Sequence, residues 1–204
     1  MRERFIGFFF LLMFGDPMIA VVSVGTIDRP LIEGVVKFLN GYYSRFGISV
    51  EFVGEIPEEP FSVAFNHLRG QYLGRVFLPT LSALREKLNA IAVLGITELD
   101  LYEERLNFVF GLANPSLRSA IISIHRLKNE FYGLKPDDEL LLERAIKEAM
   151  HELGHVFGLR HCPNPKCVMH FSNSLYDTDV KGPLYCPICA AKLEENLRRL
   201  GVLS

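Results

Sequence analysis

The sequence predicts a single α/β domain, in which strands and helices alternate along the chain and stack in layers. The chain has 204 residues, of which 49% are hydrophobic, enough to bury one sizeable core without splitting into several domains. From Met18 onward, short apolar runs alternate with segments whose apolar residues recur every three to four positions. No internal repeat or long flexible linker interrupts this alternation in the sequence.

The first part of the alternation is predicted as strand, helix and strand. An apolar run over residues 19–24 is typical of a core strand, and Asp28 is placed to cap a helix that begins at Pro30. Gly47 is suited to end that helix, because glycine adopts a left-handed backbone at little cost. Residues 48–53 then alternate as a second strand.

The middle of the chain carries weaker signals. Prolines and glycines interrupt every periodic run across residues 56–78, so the sequence predicts no element there. Residues 79–88 then predict a helix, 90–95 a buried strand, 107–112 a short strand and 119–124 a further strand.

A long amphipathic helix is predicted after Pro136. Acidic residues from Asp137 to Glu139 favour its N terminus, where negative charge complements the helix dipole. Apolar residues at intervals of three and four form its buried stripe: Leu142, Ala145, Ile146, Ala149, Met150, Leu153 and Phe157. A separate polar face collects Glu148, His151, Glu152 and His155.

Two histidines on that polar face are spaced to share one metal ion. His151 and His155 are four residues apart, so one helical turn places their rings beside each other. Zn²⁺ binds neutral imidazole at about 2.0–2.1 Å, and a hydrolytic site holds it with three protein ligands. His161 is the third candidate if the chain turns back after the helix, and Gly158 is suited to that turn.

Glu152 follows the first histidine directly and supplies a base. A carboxylate beside water on a zinc ion can take a proton as the water attacks a carbonyl carbon, then return it to the leaving amine. The short pattern HExxH also occurs on ordinary amphipathic helices with solvated histidines. The full pattern HExxHxxGxxH, which residues 151–161 match, is far more restrictive and favours a metal site that hydrolyses peptide bonds.

This eleven-residue pattern resembles the signature of the metzincin clan of zinc metalloproteases, in which a methionine turn follows it. The resemblance implies that His151, His155 and His161 bind the catalytic zinc and that Glu152 is the general base. It also implies that Met169 forms an apolar floor beneath the site without binding the metal.

All four cysteines lie between Cys162 and Cys189, which indicates one local role. The close pairs, Cys162 with Cys167 and Cys186 with Cys189, match the spacing of a tetrahedral structural zinc site. Two disulfides or a bound iron ion are the alternatives. A bridge between Cys186 and Cys189 is typical of redox folds, and nothing nearby in the sequence resembles one.

The stretch HELGHVFGLRHCPNPKCVM, followed by CPIC, resembles the archaemetzincins, in which a cysteine of a second, structural zinc follows the third histidine. The resemblance covers the chain from Met18. It implies a metzincin-like single catalytic domain with a mixed twisted sheet and helices above an active-site cleft. Residues 18–157 then form an upper subdomain with the active-site helix, and residues 158–204 a small lower subdomain braced by zinc.

The neighbouring positions of His161 and Cys162 bear on the distance between the two ions. If the chain is extended there, the two side chains point to opposite sides, which places the ions on the order of 10 Å or more apart. By the clan's architecture, the strand predicted over residues 107–112 forms the sheet edge beside the cleft. An extended peptide would pair with it there.

Other polar residues are expected to have less specific roles. His67 and His125 have no ligand spacing to another histidine and are expected to be structural or surface residues. We expect His170 to hydrogen-bond near the site instead of binding metal, because three ligands are already assigned. Tyr176 and Tyr185 are weaker candidates for stabilising an oxyanion.

Residues 1–17 form an apolar extension with two interpretations. A basic start and an apolar run over residues 5–14 resemble the first parts of a secretory signal, but no small-x-small cleavage site follows. The run is too short to span a bilayer, and a Gly-Asp-Pro sequence ends it. A misassigned start, with Met18 as the true first residue, is the favoured interpretation.

The sequence therefore predicts a zinc metallopeptidase with two Zn²⁺ per chain, and an aminopeptidase is one subclass. The alternatives are a zinc-stabilised binding protein or silent homologue, against which the intact Glu152 argues, and a zinc-ribbon nucleic-acid module. The net charge of −2 offers no basic surface to nucleic acid. We expect a peptide or protein substrate, no stable membrane association, a monomer and a cytoplasmic location.

Overall fold

A computed structural model describes residues 16–203 of the chain, so the apolar run over residues 5–14 lies outside the described residues. Its strands are β1 (Met18–Val24), β2 (Ser49–Ile56), β3 (Phe65–Asn66), β4 (Gln71–Leu73), β5 (Ala92–Thr97), β6 (Leu101–Tyr102), β7 (Gly111–Asn114) and β8 (Ser119–Ser123). Its α-helices are α1 (Arg29–Tyr43), α2 (Phe77–Lys87), α3 (Asp138–Val156), α4 (Leu175–Val180) and α5 (Pro187–Arg199).

Five strands form a mixed sheet in the order β2-β1-β5-β8-β7. β2, β1, β5 and β8 are parallel, and the edge strand β7 is antiparallel to β8. Parallel strands of one sheet need crossover connections; α1 lies on the connection from β1 to β2, and α2 lies on the connection from β2 to β5. This topology confirms the α/β class with a mixed sheet.

Alternate side chains of the central strands enter two different cores. On β1, Ile19 and Val21 pack on one side of the sheet with α1 and α3, and Ala20 and Val22 pack on the other side with α2. Because both faces of β1 are buried, its sequence is a continuous apolar run without polar alternation. The result is a layered domain with α3 against one face of the sheet.

Most predicted elements are present with shifted ends. The helix predicted over residues 79–88 is α2 and begins two residues earlier, at Phe77. The strand predicted over residues 90–95 is β5 and also lies two residues from its predicted position. Asp28 precedes α1 as expected, but its side chain makes no capping hydrogen bond, so the predicted cap is wrong.

The strand predicted over residues 107–112 is misplaced, because the paired strand β7 begins only at Gly111. The backbone carbonyls of Leu106 and Asn107 accept hydrogen bonds from the Arg69 guanidinium instead of from a neighbouring strand. At the start of that segment, hydrogen bonds from a side chain therefore take the place of backbone hydrogen bonds to a neighbouring strand. β7 does form the edge of the sheet, as expected.

A second, small sheet takes two of its three strands, β3 and β4, from the region to which the sequence assigned no element. β3, β4 and β6 form it in that order, with β3 antiparallel and β6 parallel to β4. These strands are only two or three residues long. A strand that short shows no measurable alternation in the sequence.

The segment after α3 is fixed to that helix by ion pairs and apolar contacts. The guanidinium of Arg144 binds both carboxylate oxygens of Asp179 at 2.7 and 2.8 Å, and Lys147 Nζ donates to the Asp179 carbonyl at 3.1 Å. Leu193 and Leu197 of α5 are fully buried in the core that contains α3. Within residues 16–203, no helix is long and apolar enough to cross a membrane.

Candidate active site

The sequence of α3 explains both of its ends. The Asp137 side chain accepts a hydrogen bond from the Leu140 N–H at 2.9 Å, and acidic residues fill the first turn. Gly158 follows the helix with φ +84°, the left-handed conformation expected there. Asn196 of α5 donates to the Phe157 carbonyl at 2.8 Å, which supplies a partner for a backbone group beyond the helix end.

The turn at Gly158 brings three histidines together. One ring nitrogen from each of His151, His155 and His161 lies within 4.8 Å of the other two. The His161 ring centroid is 5.3 Å from that of His151 and 4.9 Å from that of His155. The chain thus places at one point the three side chains that the spacing of the motif singles out.

Backbone carbonyls determine which ring nitrogen two of these histidines present. His151 Nδ1 lies 2.7 Å from the Val168 carbonyl oxygen, and His155 Nδ1 lies 2.8 Å from that of Leu159. A carbonyl only accepts, so both Nδ1 atoms carry the proton and both Nε2 atoms present a lone pair.

The spacing of the two Nε2 atoms fits a bound cation. They are 3.0 Å apart, although two lone pairs that face each other repel. Two nitrogens on a tetrahedral zinc ion, each about 2.0–2.1 Å from it, are about 3.3 Å apart. The residues present therefore suit zinc in both donor chemistry and spacing.

Burial keeps the three imidazoles in the form that binds metal. It lowers the pKa of His151 well below the usual value, and it lowers the pKa values of His155 and His161 as well. The positive charge of Lys181 acts in the same direction on all three. The rings are therefore neutral near pH 7, as ligation requires.

Glu152 is buried between α3 and the edge strand. A Cβ atom added at Gly111 of β7 would lie 2.7 Å from the Glu152 Cγ, so the Glu152 side chain can lie against β7 because residue 111 has no side chain. Burial raises the pKa of Glu152 well above the usual value; Glu148 raises it further and Lys181 lowers it. A carboxylate with a raised pKa is a better proton acceptor near neutral pH.

Met169 packs directly under the histidine-bearing helix and is fully buried. A Cβ atom at Gly154 would overlap the Met169 sulfur and lie 3.0 Å from the Tyr185 ring. Gly154 stands between the two histidines in the motif, and no pattern in the sequence singles it out. Position 154 requires glycine because of this contact with Met169.

Two of the less specific expectations are tested by hydrogen bonds. His170 Nδ1 donates to the Cys162 carbonyl at 2.9 Å, as expected for a residue that supports the site. Tyr185 as an oxyanion donor is wrong, because its hydroxyl donates to the Met150 carbonyl at 2.6 Å in the core. Tyr176 is 74% exposed and is not part of the cleft lining, so its role as an oxyanion donor stays an unsupported prediction.

The four cysteines form a second cluster. The sulfurs of Cys162, Cys167, Cys186 and Cys189 lie within 4.8 Å of one another, and all four thiols are free. Cys162 Sγ and Cys186 Sγ are 3.8 Å apart, far beyond a disulfide bond of about 2.05 Å. Two sulfurs on a tetrahedral zinc ion, each about 2.3 Å from it, are about 3.8 Å apart.

The thiols of this cluster differ in how readily they ionise. A hydrogen bond from the Cys189 backbone N–H lowers the pKa of Cys186 to about 7. Burial raises the pKa values of Cys167 and Cys189. A cation among the four sulfurs compensates the cost of buried thiolates, so the set suits a structural metal better than free thiols.

A cleft of about 700 Å³ opens in front of the three histidines. β7 lines one side of the cleft, the turn from Gly158 to His161 lines another, and Phe171 is also part of the lining. His67 and His125 are not part of this lining; they pack on phenylalanine rings elsewhere, consistent with local roles. The fold is an α/β domain in which the edge of a mixed sheet borders a cleft, and the cleft contains three histidines and one buried glutamate. This combination defines the class of zinc metallopeptidases.

Comparison with known proteins gives the family. The sequence model of peptidase family M54 matches residues 18–195. The archaemetzincin of Pyrococcus furiosus is 55% identical over 182 residues, which are 89% of this chain and 95% of that protein. The chain therefore belongs to peptidase family M54, the archaemetzincins.

Solved structures agree with this assignment. The crystal structure of archaemetzincin from Methanopyrus kandleri matches with a TM-score of 0.75 and 39% identity, over 91% of this chain and 98% of that one. A zinc-dependent peptidase from Methanocorpusculum labreanum matches with a TM-score of 0.74 and 33% identity, over 86% of this chain and 99% of that one. The expected family and fold are thus confirmed.

Proposed function

We propose that His151, His155 and His161 bind one catalytic zinc ion and that Glu152 is the general base in peptide-bond hydrolysis. One observation carries the proposal: the Nε2 atoms of His151 and His155 are 3.0 Å apart, while the Nδ1 atom of each ring donates to a backbone carbonyl. The name of the related zinc-dependent peptidase supports the choice of metal. Met169 supports the histidines from below, as an apolar contact and not as a ligand.

The residues of the chain have separate tasks in this reaction. Zinc, when bound, supplies a Lewis acid that polarises the scissile carbonyl and makes water more acidic. Glu152 removes a proton from the water that attacks the carbonyl carbon. It then delivers that proton to the amine nitrogen as the carbon–nitrogen bond breaks. Its burial keeps bulk water from competing for the proton.

The edge strand β7 is the proposed docking site for the substrate backbone. β7 pairs with β8 on one side and ends the sheet on the other, and no strand of residues 16–203 pairs with its outer side, where an extended peptide could add. Gly111 of this strand is the residue that contacts Glu152. A peptide added there would therefore pass the general base.

The four cysteines are proposed to hold a second, structural zinc ion. Cys162 follows His161 directly, and the Cys162 N–H donates to the Met169 carbonyl at 2.8 Å. The cysteine cluster therefore positions both the third histidine and the methionine beneath it. Two zinc ions per chain, about 10 Å or more apart, remain the prediction.

The proposal is tested by peptide cleavage with the zinc-loaded protein. Wild type should cleave members of a peptide library, and Glu152→Ala should retain its zinc but lose about 10²- to 10⁴-fold in rate. Glu139→Ala, which removes another glutamate of α3, serves as the matched control and should cleave like wild type. Cleavage by Glu152→Ala at the wild-type rate would contradict the proposal.

The same library separates the remaining alternatives. A wild type that holds zinc and cleaves no peptide would support the zinc-stabilised binding protein instead. Peptides with free and acetylated N termini test the aminopeptidase subclass, because only an aminopeptidase requires the free amine. The monomeric state and the cytoplasmic location remain predictions, to be checked by light scattering and cell fractionation.

A further inference from the structure

Two exposed arginines line the cleft on different walls. Arg105 lies in the turn that precedes β7, and Arg160 lies in the turn between Gly158 and His161. Among residues 16–203, no carboxylate lies within ion-pair distance of either guanidinium. Each guanidinium can therefore donate hydrogen bonds to a molecule that enters the cleft.

The acidic residues next to Arg105 in the sequence are bound by a different arginine. Arg75 Nε lies 3.1 Å from a carboxylate oxygen of Glu103, and another nitrogen of the same guanidinium lies 3.1 Å from one of Glu104. The Arg69 guanidinium donates to two backbone carbonyls of the same segment. This rim of the cleft therefore carries three arginines against two glutamates, a positive balance.

The backbone of Arg105 adopts a conformation that favours glycine. Its φ is +70°, in the left-handed region. A residue with a Cβ atom pays a steric cost there, whereas glycine does not. No ion pair of the Arg105 side chain within residues 16–203 offsets that cost. A strained residue at the rim of a cleft points to a role of its side chain towards a ligand.

The interior of the cleft does not cancel this positive charge. Of its two buried carboxylates, Glu148 is already paired with Lys181 at 2.9 Å, which leaves Glu152 as the one whose charge is not neutralised by an ion pair within residues 16–203. Zinc, when bound, adds two positive charges to the same space. The charge that a substrate meets in the cleft is therefore positive, and a cleft focuses such a field.

We propose that Arg160 and Arg105 select substrates with acidic side chains, aspartate or glutamate, near the scissile bond. This inference rests on the proposed peptidase function. Arg160 adjoins His161 in the sequence, so it serves a side chain close to the scissile bond. Arg105 comes six residues before Gly111, against which Glu152 lies, so it serves a side chain farther along a peptide paired with β7.

A guanidinium distinguishes among substrate side chains by charge and shape. It binds a carboxylate through two parallel hydrogen bonds, which adds geometric selectivity to the attraction of opposite charges. A lysine or arginine of the substrate is repelled, and an apolar side chain offers no acceptor. The C-terminal carboxylate of a short peptide has the same chemistry as an acidic side chain, so the test has to separate the two sources.

The first test is a glutamate scan with the zinc-loaded wild type. Peptides blocked at both ends carry glutamate, glutamine or lysine at each of three positions on either side of the scissile bond. At one or more positions, glutamate should exceed glutamine in kcat/KM by about three- to fivefold at low ionic strength, and lysine should be slowest. Salt at about 1 M, where the Debye length is about 3 Å, should abolish the difference.

Two results of this scan would overturn the inference. One is an equal rate for glutamate and glutamine at all six positions, and the other is a preference for lysine. Glutamine peptides with a free or an amidated C terminus test the other source of a carboxylate. Faster cleavage with the free C terminus alone, without any effect of glutamate, would also overturn the selection of acidic side chains.

Single variants test the assigned residues. Arg160→Gln should lower the glutamate-to-glutamine ratio to about one at positions next to the scissile bond, and Arg105→Gln should do so at positions farther away. Arg118→Gln is the matched control and should preserve the ratio, because Arg118 also has a left-handed backbone, with φ +49°, but is not part of the cleft lining. An unchanged ratio in both cleft variants would refute the assignment.

Arg105→Gly separates a role in selection from a role in folding. Glycine relieves the left-handed backbone, so the variant should unfold at the same or a higher urea concentration than wild type. It should nevertheless lose the preference for glutamate that Arg105 provides. A variant that keeps the preference would contradict the proposed role of this side chain.

A binding measurement distinguishes this inference from the peptidase proposal. Zinc-loaded Glu152→Ala lacks the proposed base, so fluorescent peptides can be titrated without turnover and their affinities read by anisotropy. If wild type cleaves no peptide but glutamate peptides bind about three- to fivefold more tightly than glutamine peptides, the peptidase proposal fails and the acidic selection stands. If peptides are cleaved and bound without that preference, the selection fails and the peptidase proposal stands.

Discussion

We expect Gly154→Ala to destabilise the metal-free protein, although alanine is the better helix former. Residue 154 stands between His151 and His155 in the sequence of α3, and its added Cβ would overlap the Met169 sulfur and lie 3.0 Å from the Tyr185 ring. Helix propensity favours alanine by about 1 kcal/mol, whereas overpacking of a buried contact costs about 1–3 kcal/mol. Because Met169 is fully buried, we expect a cost in the upper part of that range, about 2–3 kcal/mol, which leaves a net loss of about 1–2 kcal/mol.

Urea unfolding in the presence of a chelator measures this change by linear extrapolation. Gly41→Ala in α1 is the matched control, because no atom lies within 4 Å of a Cβ added there, and it should gain about 0.5–1 kcal/mol. The two variants should therefore change stability in opposite directions. Equal stabilisation by both would show that Met169 does not pack against Gly154 as described.

Three further changes test other parts of the molecule. Cys186→Ser should lower the retention of both zinc ions, because another cysteine of the cluster adjoins the third histidine; unchanged metal content would refute that coupling. Burial raises the pKa values of Tyr43 and Tyr185, so these phenols stay neutral in the fold while the unfolded chain ionises near pH 10. Stability should therefore fall as pH rises above about 10, and less steeply in Tyr185→Phe; equal slopes in a pH series of urea titrations would contradict this. Asp137→Ala removes the helix cap and should cost about 1 kcal/mol in thermal unfolding, and an unchanged midpoint would show that the cap is not needed.

The parts of the fold that were predicted from the sequence are those with strong local patterns. The amphipathic period of α3 and the continuous apolar run of β1 each correspond to an element of the structure. The strands β3, β4 and β6 are too short to produce a period, so the second sheet was not predicted. The start of β7 was misplaced because Arg69, far away in sequence, binds the carbonyls before it.

In the candidate site, too, residues close together in the sequence were predicted, whereas a contact between residues far apart in the sequence was not. The spacing of His151, Glu152 and His155 on one helix, with glycine at the turn, predicts which side chains converge. The polar face also contains Glu148, but its partner Lys181 lies 33 residues later in the sequence and belongs to no motif. Such a pair becomes visible only when tertiary structure brings α3 and the end of α4 together.

Diffraction from crystals of the zinc-loaded protein at the zinc absorption edge tests the central claim most directly. The anomalous map should show one zinc about 2.0–2.1 Å from Nε2 of His151 and of His155 and from a ring nitrogen of His161, with no fourth protein ligand. A second zinc should lie about 2.3 Å from each of the four cysteine sulfurs. An empty histidine site, or a fourth side chain closing its coordination, would contradict the account.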